Sequence, residues 1–277
     1  MCCYSNPELV LLGTHNKLLV YELPNFQLLD EYPLTSAPMK IVQHARYFLV
    51  LCGKDVKVHC LEWVDSKLYA NSLLEGHLLT INDLIGSNES EVVTCSDDFT
   101  VRLWQGEEPF STSKILSGHQ GKVRCLESYR EYIFSGSSER EVFVWKGRKL
   151  FHQLKASSEV DAMMSCLEAD YLAVVTTSTE LEMYDLRSLK NRKLPLLYTV
   201  RLPSESTLSC RKRLFQLDEH FVVVVRESKI SFIEIYMKEL IRTVTTSNNT
   251  PIVNVTPINS MVVFADQQHL YLEDLCL

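Results

Sequence analysis

Apolar and polar residues alternate along this chain in short runs, and the runs recur. Seven stretches read alike: LLVY ending at Tyr21, VKVH at His59, VRLW at Trp104, VFVW at Trp145, LEMY at Tyr184, ISFI at Ile233 and LYLE at Glu273. In each, the first and third positions are apolar: Leu18/Val20, Val56/Val58, Val101/Leu103, Val142/Val144, Leu181/Met183, Ile230/Phe232 and Leu270/Leu272. A period of two puts such side chains on one face of a β-strand. The steps between the ends are 38, 45, 41, 39, 49 and 40 residues. Seven matches at so even a spacing mark an internal repeat.

Two copies are the most explicit. Gly76-His77 recurs as Gly118-His119, Thr94-Cys95-Ser96 as Ser135-Gly136-Ser137, and Trp104 as Trp145. A period near forty residues with four strand-like runs in each predicts an all-β chain built as one seven-bladed β-propeller. The blades fall at about 1–34, 35–75, 76–117, 118–157, 158–203, 204–247 and 248–277. The last supplies three runs, Ile252–Val255, Met261–Phe264 and Leu270–Leu275, and is expected to lack its outer strand. Either the chain is part of a longer one or the ring closes on three strands. An open outer edge would expose unpaired backbone groups to a partner.

Glycine-histidine, a Ser/Thr-bearing strand, a turn acid and a strand ending in Trp resemble the WD repeat. The family's motif maps onto His77, Thr94, Asp98 and Trp104, and again onto His119, Ser135, Glu139 and Trp145, with Glu in place of the usual Asp. Gln105 and Lys146 stand where the family usually has a second Asp. The resemblance implies a hydrogen-bonded network inside each of these two blades, in a WD-repeat-like propeller. The chemistry suits it, since Trp donates, Ser/Thr donates and accepts, His relays and a carboxylate accepts. A His/Ser/Asp set also invites comparison with a catalytic triad. Its recurrence once per repeat, with Trp included, argues for structure instead.

Composition narrows the functions. With a net charge of -7, no whole-molecule basic field draws the chain to nucleic acid. No apolar run approaches the ~20 residues that span a bilayer, so no membrane role is expected. The start, MCCYSNPE, has neither a basic n-region nor a long apolar core. Nine cysteines without a CxxC pair read as small buried thiols in a reducing compartment. Location in the cytoplasm and/or nucleus is therefore expected.

The search for catalytic chemistry is empty. There is no HExxH, no phosphate-cradling glycine loop and no GxSxG. Asp97-Asp98 and Glu107-Glu108 are neighbours in predicted turns. His15, His44, His59, His152, His220 and His269 show no metal-ligand spacing. No enzyme activity, metal, cofactor or small-molecule substrate is expected.

Two constellations point to partners. Tyr184-Asp185-Leu186-Arg187 resembles the [W/Y]-D-x-R ending of WD-repeat substrate receptors of cullin–RING ubiquitin ligases, in which the arginine helps dock the ligase adaptor. A planar guanidinium that pairs bidentately with carboxylates suits that role. Basic clusters occur at Lys146/Arg148/Lys149, at Lys190/Arg192/Lys193 and at Arg211/Lys212/Arg213. The last two lie in long connections, on neighbouring predicted blades, and could meet an RNA backbone. In sequence, no aromatics interleave with them as a stacking platform would need. RKRL at Arg211–Leu214 is not the FRRG motif of phosphoinositide-binding propellers. The family resemblance thus implies a non-catalytic scaffold or adaptor for other proteins, with a ribonucleoprotein or RNA-modification subunit as the alternative.

Overall fold

The structure, a computed structural model, describes residues 2–6, 8–53, 55–88, 91–105, 112–167, 169–203, 213–216, 220–226, 228–246, 252, 254–258, 261–265 and 270–274. Seven antiparallel sheets are present among them, each a simple meander of consecutive strands. The first sheet holds β1 (Cys2–Ser5), β2 (Leu9–Gly13), β3 (Lys17–Glu22) and β4 (Gln27–Pro33). The second holds β5 (Pro38–His44), β6 (Tyr47–Cys52), β7 (Lys57–Val64) and β8 (Lys67–Glu75). The third holds β9 (Ile81–Asn88), β10 (Glu91–Ser96), β11 (Val101–Gln105) and β12 (Thr112–Leu116). In the fourth are β13 (Val123–Tyr129), β14 (Tyr132–Ser137), β15 (Glu141–Lys146) and β16 (Lys149–Lys155). In the fifth are β17 (Val160–Cys166), β18 (Tyr171–Thr176), β19 (Glu180–Asp185) and β20 (Leu196–Arg201). In the sixth are β21 (Arg213–Gln216), β22 (Phe221–Arg226), β23 (Lys229–Glu234) and β24 (Glu239–Thr245). The seventh has three strands among the described residues, β25 (Asn254–Ile258), β26 (Met261–Ala265) and β27 (Leu270–Asp274). The backbone groups into two compact units, Met1–Leu126 and Glu127–Leu277, divided within β13.

Where burial is described, second strands are the most buried and outer strands the least. The second strands β6, β14 and β18 are buried at every position; β6 and β18 are largely continuous apolar runs, whereas β14 also buries Ser135 and Ser137. The outer strands β4, β16 and β24 alternate between half-buried and exposed. In the first unit, Leu9, Leu11, Leu18 and Val20 pack with Phe48, Val50 and Cys52 between the first two sheets. On the other face of β6, Leu49 and Leu51 pack with Ile81, Leu84 and Trp104 of the third. In the second unit, Val175, Leu181 and Met183 pack against Val222, Val224 and Ile233.

Polar ties reinforce these contacts. In the first unit, the Asp83 carboxylate receives Lys40 Nζ from β5 at 2.7 Å and the Leu126 N–H at 3.0 Å, which joins three inner strands. In the second unit, Asp170 accepts from Tyr129 and, at 3.0 Å, from Arg130.

One register differs from the sequence expectation. A β-bulge falls just before Tyr21, Trp145, Tyr184 and Ile233, the aligned strand ends. In the second sheet it falls between Cys60 and Leu61, two residues beyond His59. Val56 is 36% exposed there, while Val58 and Cys60 are buried. The buried pair of that repeat is Val58/Cys60, and Leu61 stands where Trp145 does. The hairpin turn is one residue longer than in the fourth sheet, which accounts for one of the two positions and which apolar spacing does not reveal.

Candidate functional site

The third sheet carries a closed polar chain between its strands. The Trp104 indole N–H donates to Thr94 Oγ1 at 2.8 Å. Thr94 Oγ1 in turn lies 2.8 Å from His77 Nε2. His77 Nδ1 lies 2.8 Å from Asp98 Oδ2. The Trp donor fixes Thr94 as donor to Nε2, so Nδ1 carries the ring proton and donates to the carboxylate. Asp98 also accepts from the Leu78 N–H and from the Thr100 hydroxyl. Burial lowers the His77 pKa, outweighing the neighbouring carboxylate, so the ring stays neutral near pH 7. Burial opposes ionisation of Asp98, but the bonds from Thr100, Leu78 and His77 outweigh it and its pKa is lowered. Every polar atom is spent on a structural partner, and a fully satisfied buried network of this kind rigidifies its sheet.

The second copy differs at its acid. Trp145 Nε1 donates to Ser135 Oγ at 2.8 Å, which repeats the Trp–hydroxyl step. His119 is buried, and burial pushes its pKa down to about 4. Glu139, however, is exposed, and its backbone N–H donates to Ser137 Oγ. The acid position that is tucked in at Asp98 is turned to solvent here.

The fifth sheet has a network that the sequence did not reveal. Tyr184 occupies the place of Trp145, opposite Leu172 as Trp145 is opposite Ile133. Two residues on from Leu172 stands Val174, without a hydroxyl. The Tyr184 hydroxyl instead donates to Glu182 Oε2 at 2.5 Å, and Glu182 Oε1 accepts the Ser157 N–H at 2.7 Å. Glu182 is only 3% exposed. An acid two residues before an aromatic on one strand is the signal that could have located it.

Arg187 follows directly from this buried frame. Its Nε and Nη2 donate to Asp185 Oδ1 and Oδ2 at 2.9 and 3.0 Å, and its own N–H reaches Oδ1 at 2.9 Å. The Arg187 side chain is 67% exposed while that of Asp185 is 12% exposed. The guanidinium is thus held in a fixed plane at the surface. Hydrogen bonds from Arg187 lower the Asp185 pKa, so the clamp stays charged at neutral pH. The structure therefore brings Tyr184, Asp185 and Arg187 into one rigid group.

The basic loops are arranged otherwise than the sequence implied. Lys190 lies in a 3-10 turn, Leu189–Asn191, anchored by buried Leu189. Arg192 and Lys193 follow it and are exposed. The Arg192 guanidinium lies 5.1 Å from the centre of the Phe151 ring. Lys146 Nζ lies 6.0 Å from that ring and 5.2 Å from the ring of Tyr132. Aromatic residues do interleave with this patch, because β16 and the β19–β20 connection meet in space although they are distant in sequence. Arg211 and Lys212 lie outside the described residues, as does the side chain of Arg213. Glu107-Glu108 also lie outside them, whereas Asp97 is bound to Asn82 and Lys122. One further grouping escaped the spacing argument: Cys52, Asp55 and His59 come together in the first unit. No helix of the described residues is long and apolar enough to cross a membrane.

Comparison with known proteins places this geometry among relatives. The family model described as WD domain, G-beta repeat matches residues 68–105 and 110–146, which hold Trp104 and Trp145. The chain is 24% identical over 154 residues to the nuclear distribution protein PAC1 of Saccharomyces cerevisiae, covering 49% of this chain and 31% of that one. It is 32% identical over 59 residues to the ribosome biogenesis protein WDR12 homolog of Nematostella vectensis, covering 21% and 14% respectively. The matches thus span less than a third of either relative. Among solved structures, the computationally designed Ika8 protein superposes with a TM-score of 0.74 at 16% identity. That match covers 99% of this chain and 83% of the designed one, and speaks to the fold alone.

Proposed function

The chain belongs to the WD-repeat family, an all-β, propeller-type fold that serves protein interaction, and we propose that it is a non-catalytic adaptor subunit of a multiprotein complex in the cytoplasm or nucleus. The finer reading is a substrate receptor of a cullin–RING ubiquitin ligase. The observation that carries it is the clamped, exposed Arg187. Two of five guanidinium N–H donors are used on Asp185, and the other three make no bond among the described residues. A pre-ordered fork loses little side-chain entropy when it meets a partner carboxylate.

Affinity purification of the tagged chain, beside an Arg187→Glu variant, tests this reading. Arg187→Glu breaks the pair with Asp185 and sets a second acid beside it, so unfolding of parent and variant is measured alongside and the comparison is made where both are folded. A ligase adaptor is expected with the parent chain and at least tenfold less of it with the variant. Recovery of the same adaptor by both would remove the receptor reading.

A second reading has its own observation, the stacking of Arg192 on Phe151 beside Lys146. An RNA strand could follow these cations and stack a base on the guanidinium plane. The similarity to a protein named for ribosome biogenesis supports this alternative. Reversing Lys190, Arg192 and Lys193 to Glu should weaken binding of single-stranded RNA. It should also flatten the log–log salt dependence by about 2, since each phosphate that is no longer neutralised removes ~0.7 from the slope. A parent chain that binds no RNA at low salt would exclude this reading.

A further inference from the structure

We propose that Cys52, Asp55 and His59 form a binding site for a divalent ion of the zinc class. One ligand atom from each, the Cys52 Sγ, an Asp55 carboxylate oxygen and a His59 ring nitrogen, all lie within 4.8 Å of one another. His59 Nε2 and Asp55 Oδ2 are 3.8 Å apart. In a tetrahedral zinc site, with bonds of about 2.0 to 2.3 Å, ligand atoms stand roughly 3.3 to 3.8 Å from one another. The His–Asp separation already meets that spacing, and small side-chain rotations bring in the sulfur.

The local fold explains the convergence. Cys52 closes β6 and His59 lies on β7, opposite Val50. Val50 and Cys52, two apart on one strand, share a face. His59 therefore projects on the face that carries Cys52. The intervening turn returns Asp55 to the mouth of the same hairpin. Its carboxylate accepts from the Thr35 hydroxyl at 3.3 Å, a contact that orients it as supporting residues orient metal ligands. The site is neither sealed nor open: Cys52 is fully buried, while Asp55 and His59 are half-buried. An ion can enter from the polar side.

Donor chemistry selects the metal. Thiolate and imidazole exclude Mg²⁺ and Ca²⁺, which take oxygen, and one carboxylate beside them suits Zn²⁺. Three protein ligands leave a fourth position for water. Binding releases the Cys52 thiol proton to solvent, because the thiolate is the ligand. The ion would fasten the β6–β7 hairpin to the connection that carries Thr35. In the third sheet, the Thr94–His77–Asp98 hydrogen bonds fasten the corresponding hairpin to the connection that carries His77.

Cobalt(II) is the probe, because it takes the same tetrahedral sites and reports a bound thiolate through a charge-transfer absorption. The metal-stripped full chain is titrated with Co²⁺, then with Zn²⁺. The expected result is a thiolate band that saturates at one equivalent and disappears as Zn²⁺ displaces Co²⁺. Cys52→Ser should abolish the band, His59→Gln should weaken binding at least tenfold, and Cys95→Ser should change neither. No thiolate band in the parent chain overturns the site, and so does a band that persists in Cys52→Ser. If Cys52→Ser does not fold, X-ray absorption of the zinc-loaded parent chain decides. One sulfur with nitrogen and oxygen neighbours upholds the assignment, and any other sulfur count refutes it.

Discussion

Replacing Thr94 with Val is expected to destabilise the chain by about 2 to 6 kcal/mol, with no change in shape to blame. Val matches Thr in volume but lacks the hydroxyl. The Trp104 indole N–H and His77 Nε2 would both lose their partner in a site where Thr94 is fully buried. Each buried polar group left unpaired costs about 1 to 3 kcal/mol, which sets the range. Thr94→Ser keeps the hydroxyl and deletes one methyl, so it should cost only about 1 kcal/mol. The fourth sheet already uses Ser135 in that role beneath Trp145. Urea unfolding of the three proteins measures the difference. Equal losses for Val and Ser would mean that the hydroxyl carries no weight and the network is incidental. Adding Trp104→Phe to Thr94→Val supplies a second check. With the indole donor gone, the Val substitution should cost less than it does alone, because the two changes break one bond.

The parts legible from sequence are those that depend on neighbours along the chain. Alternation placed β3, β11, β15, β19 and β23, because a strand with one buried face must repeat every two residues. The resemblance to the WD repeat singled out His77, Thr94, Asp98 and Trp104, and hydrogen bonds join these four in the third sheet. What stayed hidden depends on turns and on packing between distant segments. The second repeat's bulge falls at Leu61, two residues beyond His59, and apolar spacing is blind to the extra residue in the β6–β7 turn. Glu182 is bound by Tyr184 on its own strand and by the Ser157 N–H 25 positions away in the chain. Phe151 and Arg192 are 41 positions apart in the chain yet stack. Cys52, Asp55 and His59 match no standard ligand spacing, because the hairpin rather than a short motif brings them together.

Function follows the same division. The third-sheet network consumes its polar atoms internally, so capacity for a partner is sought just outside such buried groups. Arg187 is the clearest case. Its backbone leaves the strand of the buried Tyr184–Glu182 pair, and its side chain is locked by Asp185. Rigidity in the sheet is thereby passed to an exposed cation. A scaffold binds well when its contact groups are ordered in advance, and here the order comes from hydrogen bonds two residues away.

Acid should unfold this chain through its buried imidazoles, and His119 is expected to supply the largest share. Its ring is buried, and burial pushes its pKa from 6.5 down to about 4. A histidine whose folded pKa lies below its unfolded value binds fewer protons when folded. Its contribution is therefore complete above pH 6.5 and is lost as pH falls toward 4. At ~1.4 kcal/mol per pH unit, the loss amounts to about 3 kcal/mol. His77 is shifted in the same direction and adds to the effect. Asp98, whose pKa is held below the usual 3.8, gives up its share only at lower pH, so the two windows separate. Unfolding free energies at several pH values between 7 and 4 measure the slope for the parent chain and for His119→Gln. The variant should show a shallower slope whatever its absolute stability, since it has one fewer group to titrate. Identical slopes would mean that the His119 ring titrates alike in the folded and unfolded chain, and that acid acts elsewhere.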